Sequence, residues 1–476
     1  MGTERRRIGL KIFRMGNRSK RLLVIGLDCA TPQFVFGPER FELPNLARLM
    51  SEGCWGPMQT CHPPITVPAW AVMMSSKDPG TLGVYGFRNR ADYSYNGMTT
   101  ANAAAIKEPR LWDILSQHGK KSVVLAVPQT YPVKPVNGWL VGGFLTPDTK
   151  TAYTYPKSLK TELEREVGEY IIDVKDFRTE DRHGLLKRIY ALMENRFAQA
   201  EYLIRTRPWD FFMMVEMGVD RLHHAFWRFT DPSHPLFEPD NEFRAVIRDY
   251  YQAVDRRIGN LLQHVDEDTA ILVVSDHGAR AMHGGVCLNE WLMRQGYLVL
   301  QETLEGRKRI EDCSIDWSRT RAWGSGGYYG RIFFNVEGRE PNGVVPAASY
   351  EAFRSKMIEE IEGMKGPDGS LLGNKVYRPQ ELYANVRGIA PDLFVYFGNL
   401  AWRSVGSVGF SDVFTFENDT GPDDANHDFH GIFILRDASA RTGKVYPVVN
   451  ILDIAPTLLD ILGVPIPSDM QGRVLQ

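Results

Sequence analysis

The sequence is poor in cysteine: there are five in 476 residues, and none of them forms a CxxC pair. So few, so scattered and odd in number, these thiols argue against a disulfide framework and indicate a reducing compartment. We therefore predict a cytoplasmic location.

An excess of positive charge is also missing, because the formal net charge is -2 and the pI is about 6.6. Since binding to nucleic acid depends on neutralising phosphates with basic residues, no sequence-specific nucleic-acid binding is expected.

Long hydrophobic runs are absent as well. No segment reaches the roughly 18 uncharged apolar residues that a membrane-spanning helix needs. The basic start, MGTERRRIGLKIFRMGNRSKR, has neither the continuous apolar region nor the small-residue cleavage site of a signal peptide. We expect residues 1–20 to be a disordered or loosely docked tail and residues 21–476 to form one domain.

What the sequence does contain is a repeated alternation of buried strands and helices. In RLLVIGLDCATP (21–32) an apolar run ends in a carboxylate, and LPNLARLMSEG (43–53) follows with helical spacing and a glycine at its end. The same pattern recurs in KSVVLAVPQTYP, PWDFFMMVEMGVD and DTAILVVSDHG. Runs of this kind are typical of an α/β fold around a large, mostly parallel sheet.

Other segments are read as additions to this core. Residues 156–207 are rich in Glu, Lys and Arg and predict inserted helices, and 241–264 predicts an amphipathic helix. Residues 301–425 mix strands with glycine-rich turns, which indicates a cap or an extension of the sheet. The final segment, 448–475, predicts a helix followed by a proline-containing tail.

Three predicted strands end in an aspartate, Asp28, Asp220 and Asp276, and such ends meet at one edge of a parallel sheet. His224 lies four residues after Asp220, on the same face of a helical turn, and His277 follows Asp276 directly. A single strand-terminal aspartate is usually a helix cap, and a single histidine is usually solvated or packed. Together, carboxylates and imidazoles suit Zn²⁺ or Mn²⁺, whereas Ca²⁺ or Mg²⁺ prefers oxygen ligands alone.

Taken alone, Thr66 in PPITVPAW (63–70) is a turn or capping threonine between prolines. Its segment belongs, however, to a set of motifs that resembles a known family. The set comprises VIGLDCATP, PPITVPAWAVMMSSKDPGTLGVYGF, DRLHHAFW, VVSDHG, APDLFV and DIAPTLLDILGVPIPSDMQGRVL. From residue 21 to the C-terminus, the chain resembles the alkaline phosphatase superfamily, in particular its type I phosphodiesterase and nucleotide pyrophosphatase branch.

The resemblance implies a three-layer α/β/α sandwich that binds two divalent cations. Zn²⁺ is the first choice for these cations and Mn²⁺ is the second. One cation site would use Asp28, Asp276, His277 and the Thr66 oxygen. The other would use Asp220, His224 and a late histidine, for which His427 fits the family pattern better than the alternative His430. His283 is left unassigned.

The resemblance also implies a reaction. A threonine hydroxyl is a weak nucleophile without activation, and metal coordination stabilises its alkoxide. Thr66 is therefore the expected nucleophile in the hydrolysis of a phosphodiester or phosphoanhydride, through a phosphothreonine. Asn89 lies near the spacing of an asparagine that contacts the substrate phosphate in relatives, and the flanking Arg88 and Arg90 are alternatives for that role.

Several alternatives stay open. The same scaffold supports a phosphomonoesterase or a phosphonate hydrolase, and a pseudoenzyme that binds metal as a scaffold is a third reading. A sulfatase is disfavoured because Ile65 stands where the C-x-P-x-R stretch that begins at Cys61 requires arginine. Cys29 replaces a glycine that relatives often carry, and it either crowds the metal pocket or only packs. The expected partner is a small phosphorylated substrate, and a homodimer is possible.

Overall fold

The structure is a computed structural model that describes residues 21–437 and 442–475. The predicted tail, residues 1–20, lies outside this described part. The strands are β1 (Leu22–Leu27), β2 (Cys54–Gln59), β3 (Arg88–Arg90), β4 (Met98–Thr100), β5 (Ser122–Leu125), β6 (Gly138–Val141), β7 (Thr154–Tyr155), β8 (Phe211–Glu216), β9 (Ala270–Val274), β10 (Gly278–Ala281), β11 (Gly284–Cys287), β12 (Ala322–Ser325), β13 (Gly330–Phe334), β14 (Lys375–Tyr377), β15 (Leu393–Tyr396), β16 (Trp402–Val405), β17 (Phe414–Thr415), β18 (Ala425–Asp428), β19 (His430–Arg436), β20 (Lys444–Val445) and β21 (Val449–Asn450).

The helices lie between and after these strands. They are α1 (Pro32–Val35), α2 (Pro44–Glu52), α3 (Thr66–Ser75), α4 (Pro79–Leu82), α5 (Leu111–Gln117), α6 (Ser158–Glu166), α7 (Arg182–Thr206), α8 (Gly218–Thr230), α9 (Val246–Leu262), α10 (Leu288–Arg294), α11 (Tyr350–Glu362), α12 (Pro379–Leu382) and α13 (Ile454–Ile461). Short 3₁₀ turns occur at Ile310–Asp312, Ala347–Ser349, Phe397–Leu400 and Ile451–Asp453.

A large central sheet organises the molecule. Its strands lie in the order β20-β2-β19-β9-β1-β8-β5-β6-β7, and β21 also pairs with β2. The five neighbours β9, β1, β8, β5 and β6 are all parallel, whereas β19 and β7 join antiparallel. The predicted α/β fold around a large, mostly parallel sheet is confirmed.

The central strands are parallel and fully buried because their sequences are apolar on both faces. Every residue of β1, β8 and β9 is buried, which a two-sided strand needs when helices cover the sheet. The register aligns Leu27 at the end of β1 with Glu216 at the end of β8, and Gly26 with Val274 at the end of β9. The three strands therefore end at the same edge.

The helices form two groups that pack among themselves: α2, α7, α8 and α9 in one, and α3 with α13 in the other. The helix predicted for 43–53 is α2, whereas the helix predicted for 241–264 begins five residues later, at Val246. The predicted helical segment 156–207 contains α6 and α7.

Residues 301–425 form separate sheets beside the central one. Strands β12, β13, β15 and β14 make a four-stranded antiparallel sheet, and α11 packs near β14. This part shares an apolar core with α10, and that core includes Leu292, Phe334 and Met357. β16 and β17 pair with β11. Residues 301–425, which we call the cap, therefore pack beside the central sheet together with α10 and β11.

A close contact joins β1 to α3. A Cβ on Gly26 would lie 2.5 Å from the Trp70 ring and 2.9 Å from Val215. Trp70 is completely buried, and its indole N–H donates to Asp28 Oδ2 at 2.7 Å. The missing side chain at position 26 thus lets α3 approach the sheet next to the first aspartate.

Gly26→Ala is expected to destabilise the protein by about 1–3 kcal/mol, because the added methyl overpacks the Trp70 ring. Urea unfolding measures this loss. In a Trp70→Phe background the clashing ring atoms are gone, so Gly26→Ala should cost less there. Equal costs in both backgrounds would contradict the proposed contact.

Candidate metal centre and nucleophile

Three carboxylates meet at one edge of the central sheet. Asp28 directly follows β1, Asp276 comes two residues after β9, and Asp220 lies in the first turn of α8, just after β8. Because β1 lies between β9 and β8, the three side chains converge. All are buried, with residue exposures of 0%, 0% and 1%. The structure places the three aspartates at one edge, as expected, but the prediction that Asp220 ends a strand is wrong, because β8 ends at Glu216 and Asp220 belongs to α8.

The start of α8 is fixed by the residue that ends β8. Glu216 accepts hydrogen bonds from the backbone N–H groups of Gly218 and Val219 at 2.7 and 3.3 Å, and from the Tyr250 hydroxyl at 2.9 Å. These bonds satisfy N–H groups that a helix leaves free at its N-terminus. Asp220 and His224 then lie one turn apart, with His224 Nε2 3.3 Å from Asp220 Oδ1.

Thr66 is the first residue of α3. Its Oγ1 lies 3.4 Å from Asp28 Oδ1 and 3.2 Å from His277 Nε2. Trp70, one helical turn later, holds the other oxygen of Asp28. The hydroxyl therefore faces the carboxylate cluster, which is where the family resemblance implies that it lies.

Three histidines turn Nε2 towards the cluster, because their Nδ1 atoms are bonded on the other side. The Nδ1 atoms of His277, His427 and His224 lie 3.1 Å from Gly278 O, 2.9 Å from Pro64 O and 2.7 Å from Asp423 Oδ1, respectively. Since these oxygens only accept, each Nδ1 carries a hydrogen, and Nε2 is the nitrogen that faces the cluster. The Nε2 atoms of His224 and His427 are 3.3 Å apart.

These donors fit divalent cations. Ligand atoms within 4.8 Å of one another occur in the groups Asp220, His224, His427; Asp28, Asp220, His277; and Cys29, His277, His427. Asp276 Oδ2 lies 3.2 Å from His277 Nε2. Asp276 Oδ2 and Asp220 Oδ1 are buried acceptors that receive no hydrogen bond from the described residues. Mixed carboxylate and imidazole donors of this kind suit Zn²⁺ or Mn²⁺.

Burial and crowding set the electrostatics of the cluster. Burial, together with the neighbouring carboxylates, raises the pKa of Asp28 and of Asp276 well above the ordinary value. Burial also acts to raise the pKa of Asp220, but His224 and Arg221 hold it well below the ordinary value. Burial lowers the pKa of His277 well below its ordinary range. Ionisation of Asp28 and Asp276 is therefore disfavoured, whereas Asp220 is stabilised as a carboxylate by its positively charged neighbours.

Arginines surround the other side of the cluster. The buried Arg221 pairs with Asp220 and, through Nη2 at 2.7 Å, with Asp173. Arg178 Nε donates to Asp423 Oδ2 at 3.0 Å, and its Nη2 donates to the Tyr328 hydroxyl at 2.8 Å. The positive charges of Arg221 and Arg178 thus balance the carboxylates near His224.

The other predicted residues lie apart from the cluster or are engaged elsewhere. Asn89 accepts from Tyr85 N at 2.7 Å and donates to Gly86 O at 2.9 Å. Its amide would have to release one of these bonds to contact a phosphate, so its role in substrate binding stays a prediction. His430 and His283 line a separate cavity of about 600 Å³, so the structure brings His427 into the cluster in place of the alternative His430.

A comparison with protein-family models matches residues 22–423 to type I phosphodiesterase / nucleotide pyrophosphatase. The chain belongs to this family. The resemblance to that branch of the alkaline phosphatase superfamily is thereby confirmed, as is the prediction of a hydrolase of the phosphodiesterase/nucleotide pyrophosphatase type.

Solved structures agree on the fold. Human ectonucleotide pyrophosphatase/phosphodiesterase 5 aligns with a TM-score of 0.56 at 12% identity, over 94% of this chain and 96% of that one. The murine protein gives a TM-score of 0.55 at 11% identity and the same coverages. An inactive variant of the murine protein, in complex with AMP, gives 0.56 at 11% identity, again over 94% and 96%. A search of curated proteins finds no significant match.

In the described part of the chain, no helix is both long and apolar enough to cross a membrane. The predicted cytoplasmic location and the possible homodimer remain predictions, as does the assignment of residues 21–476 to one catalytic domain with insertions.

The sequence did not predict the contacts that three further residues make with the candidate metal ligands. Trp70, which binds Asp28, lies four residues after Thr66 in PAW, a helical spacing that could have signalled a shared face. Asp423 precedes His427 by four residues but contacts His224, which no local pattern indicates. For Cys29 the sequence leaves open whether the side chain crowds the metal pocket or only packs. Cys29 adopts a φ of 66°, its N–H donates to Asp276 at 3.2 Å, and its thiol donates to Gly278 O at 3.3 Å.

Asp276→Asn is expected to stabilise the metal-free protein at pH 8. The folded pKa of Asp276 is raised above its ordinary value of 3.8, so its proton-linked stability is present at acidic pH and is lost as the pH rises through the folded pKa. The thermal midpoint in a chelator should therefore exceed that of the wild type at pH 8, and the difference should shrink as the pH falls.

The same variant should gain less stability than the wild type when Zn²⁺ is added, because one ligand has lost its charge. Asp240→Asn, at an exposed aspartate, is the control and should change neither midpoint. A metal-free Asp276→Asn protein that melts below the wild type at pH 8 would contradict the repulsion between these carboxylates.

Proposed function

We propose that the chain hydrolyses phosphodiester or phosphoanhydride bonds with Thr66 as the nucleophile, at a site that holds two divalent cations. The position of Thr66 Oγ1, 3.4 Å from Asp28 Oδ1 and 3.2 Å from His277 Nε2, carries this proposal. A threonine that only capped a turn would not need to face two buried groups with the chemistry of metal ligands.

Two sets of residues would hold the cations. Asp28, Asp276 and His277 would hold one beside Thr66, and Asp220, His224 and His427 would hold the other. When bound, such cations lower the pKa of a coordinated hydroxyl and neutralise charge that develops on the phosphoryl group. Zn²⁺ is favoured and Mn²⁺ is the second choice, because three imidazoles contribute to the donor set.

The residues of the chain account for the nucleophile's orientation. Thr66 Oγ1 donates to Asp28 Oδ1 and lies beside His277 Nε2, and the bond of His277 Nδ1 to Gly278 O keeps that ring in place, so the hydroxyl is held next to the cation position. Burial excludes water from this oxygen, since Thr66 is 3% exposed. A buried, oriented oxygen is favoured over bulk water as the attacking group.

The reaction then takes two steps. The Thr66 hydroxyl gives up its proton and Oγ1 bonds to phosphorus, while the bond from phosphorus to the leaving oxygen breaks and that oxygen takes up a proton, which gives a phosphothreonine and the first product. Water next attacks the phosphorus of the phosphothreonine and the bond to Oγ1 breaks; one proton of the water restores the Thr66 hydroxyl and the other leaves with the phosphate product. Transfer of a phosphoryl group depends mainly on positioning and charge neutralisation, which agrees with a site made of ligands.

The comparisons support a small phosphorylated substrate. The family description names phosphodiesters and nucleotide pyrophosphates. The murine relative that was solved with AMP is an inactive threonine-to-alanine variant.

Thr66→Ala is expected to lower turnover of an activated diester, such as bis(p-nitrophenyl) phosphate, by at least about 10³-fold, as removal of a nucleophile does in other hydrolases. Release of p-nitrophenolate by the metal-loaded protein measures this. Thr66→Ser, which keeps the oxygen, is the matched control and should retain activity. Undiminished turnover by Thr66→Ala would rule out the nucleophile assignment.

The preferred ester is tested on the same preparation. We expect bis(p-nitrophenyl) phosphate to be hydrolysed with a higher kcat/KM than p-nitrophenyl phosphate. The reverse order would identify the protein as a phosphomonoesterase on this scaffold.

A further inference from the structure

His224 is held differently from the other two histidines of the cluster. The Nδ1 atoms of His277 and His427 face neutral backbone carbonyls. His224 Nδ1 faces the carboxylate of Asp423 at 2.7 Å, with the Ala425 carbonyl as a second neighbour at 3.0 Å. The Asp423 side chain has no exposed surface. The site thus contains one carboxylate-backed imidazole, on the side of Asp220 and His427.

Asp423 is itself fixed so that one oxygen is left for His224. Its Oδ2 receives Arg178, with Nε at 3.0 Å and Nη2 at 2.9 Å, and lies 3.4 Å from Arg403 Nη1. Its Oδ1 faces His224. Because two guanidinium groups hold Oδ2, the carboxylate is oriented before any ligand binds.

This arrangement has consequences for a bound cation. A carboxylate that accepts from Nδ1–H fixes the tautomer and the ring orientation of a histidine ligand, and makes its Nε2 a stronger electron donor. His224 Nε2 points to Asp220 Oδ1 and His427 Nε2, at 3.3 Å each. The stronger donor is therefore aimed at one of the two cation positions.

We propose that Asp423 is the positioning residue of the cation site formed by Asp220, His224 and His427, and that it tightens this site selectively over the one beside Thr66. The inference rests on the proposed two-cation function. It adds a residue for which the sequence predicted no role and a difference in affinity between the two cation sites.

Asp423→Asn tests the inference, because asparagine keeps the size of the side chain and removes its charge. Titration of metal-free protein with Zn²⁺ against a chromogenic chelator should show two binding steps in the wild type. In Asp423→Asn, one step should weaken by about 10–100-fold, the usual effect of losing such a partner, and the other should stay unchanged.

Asp419→Asn is the matched control. Asp419 Oδ1 lies 3.9 Å from Arg403 Nη2, so this change removes a carboxylate beside the same arginine without touching His224. Both binding steps should keep their wild-type affinity. Asp423→Glu retains the charge on a longer side chain and should restore part of the affinity that asparagine loses.

The outcomes separate the two levels of the proposal. Equal weakening of both steps in Asp423→Asn, or no change in either, overturns the inference while the two-cation function stands. A wild-type protein that binds fewer than two zinc ions overturns the function, and the inference falls with it.

A measurement on the wild type avoids any dependence on how the variants fold. Long-range ¹H–¹⁵N correlation spectra of the zinc-loaded protein should show His224 with its hydrogen on Nδ1 and its Nε2 bound to metal. A hydrogen on Nε2 of His224 would overturn the inference.

Discussion

Buried negative charge at one edge of the central sheet is the constraint on which the rest of the site depends. Asp28, Asp220 and Asp276 meet there because β9, β1 and β8 are parallel neighbours that end together. In a medium of low dielectric constant, carboxylates without counterions repel one another and resist ionisation. The fold therefore places a destabilising group of acids where cations would turn the repulsion into attraction.

Residues from several elements hold the side chains at this edge in place. Trp70 ties the nucleophile helix α3 to Asp28, and Glu216 fixes the start of the helix that carries Asp220 and His224. The cap contributes Tyr328, whose ring stacks on His427 at 4.1 Å and on His224 at 4.9 Å between ring centroids. The candidate metal ligands thus lie outside the cap, and the cap reaches two of them through Tyr328.

Local sequence patterns were sufficient for the sheet and its polar edge. Apolar runs that end in aspartate predict buried parallel strands, and the four-residue spacing of Asp220 and His224 predicts a shared helical face. The pairing of Thr66 with these residues needed the family resemblance, because nothing within PPITVPAW distinguishes a nucleophile from a turn threonine. The same is true of His427, which the resemblance favoured over His430.

Contacts between distant irregular segments were beyond the sequence. Asp423 approaches His224 across 199 positions, and its neighbours Arg178 and Arg403 come from two further segments. The order of the strands in the cap was equally hard to predict, because these strands are short, carry no clear period, and in two cases pair with β11 outside the cap. Hydrophobic periodicity reports which face of an element is buried, but it does not identify the partner of a buried polar group.

The presence of two cations at this edge is the central claim, and anomalous X-ray diffraction from crystals of the zinc-loaded protein tests it most directly. We predict two anomalous peaks about 4 Å apart, one among Asp28, Asp276, His277 and Thr66, and the other among Asp220, His224 and His427. A single peak, or peaks away from these residues, would contradict the account.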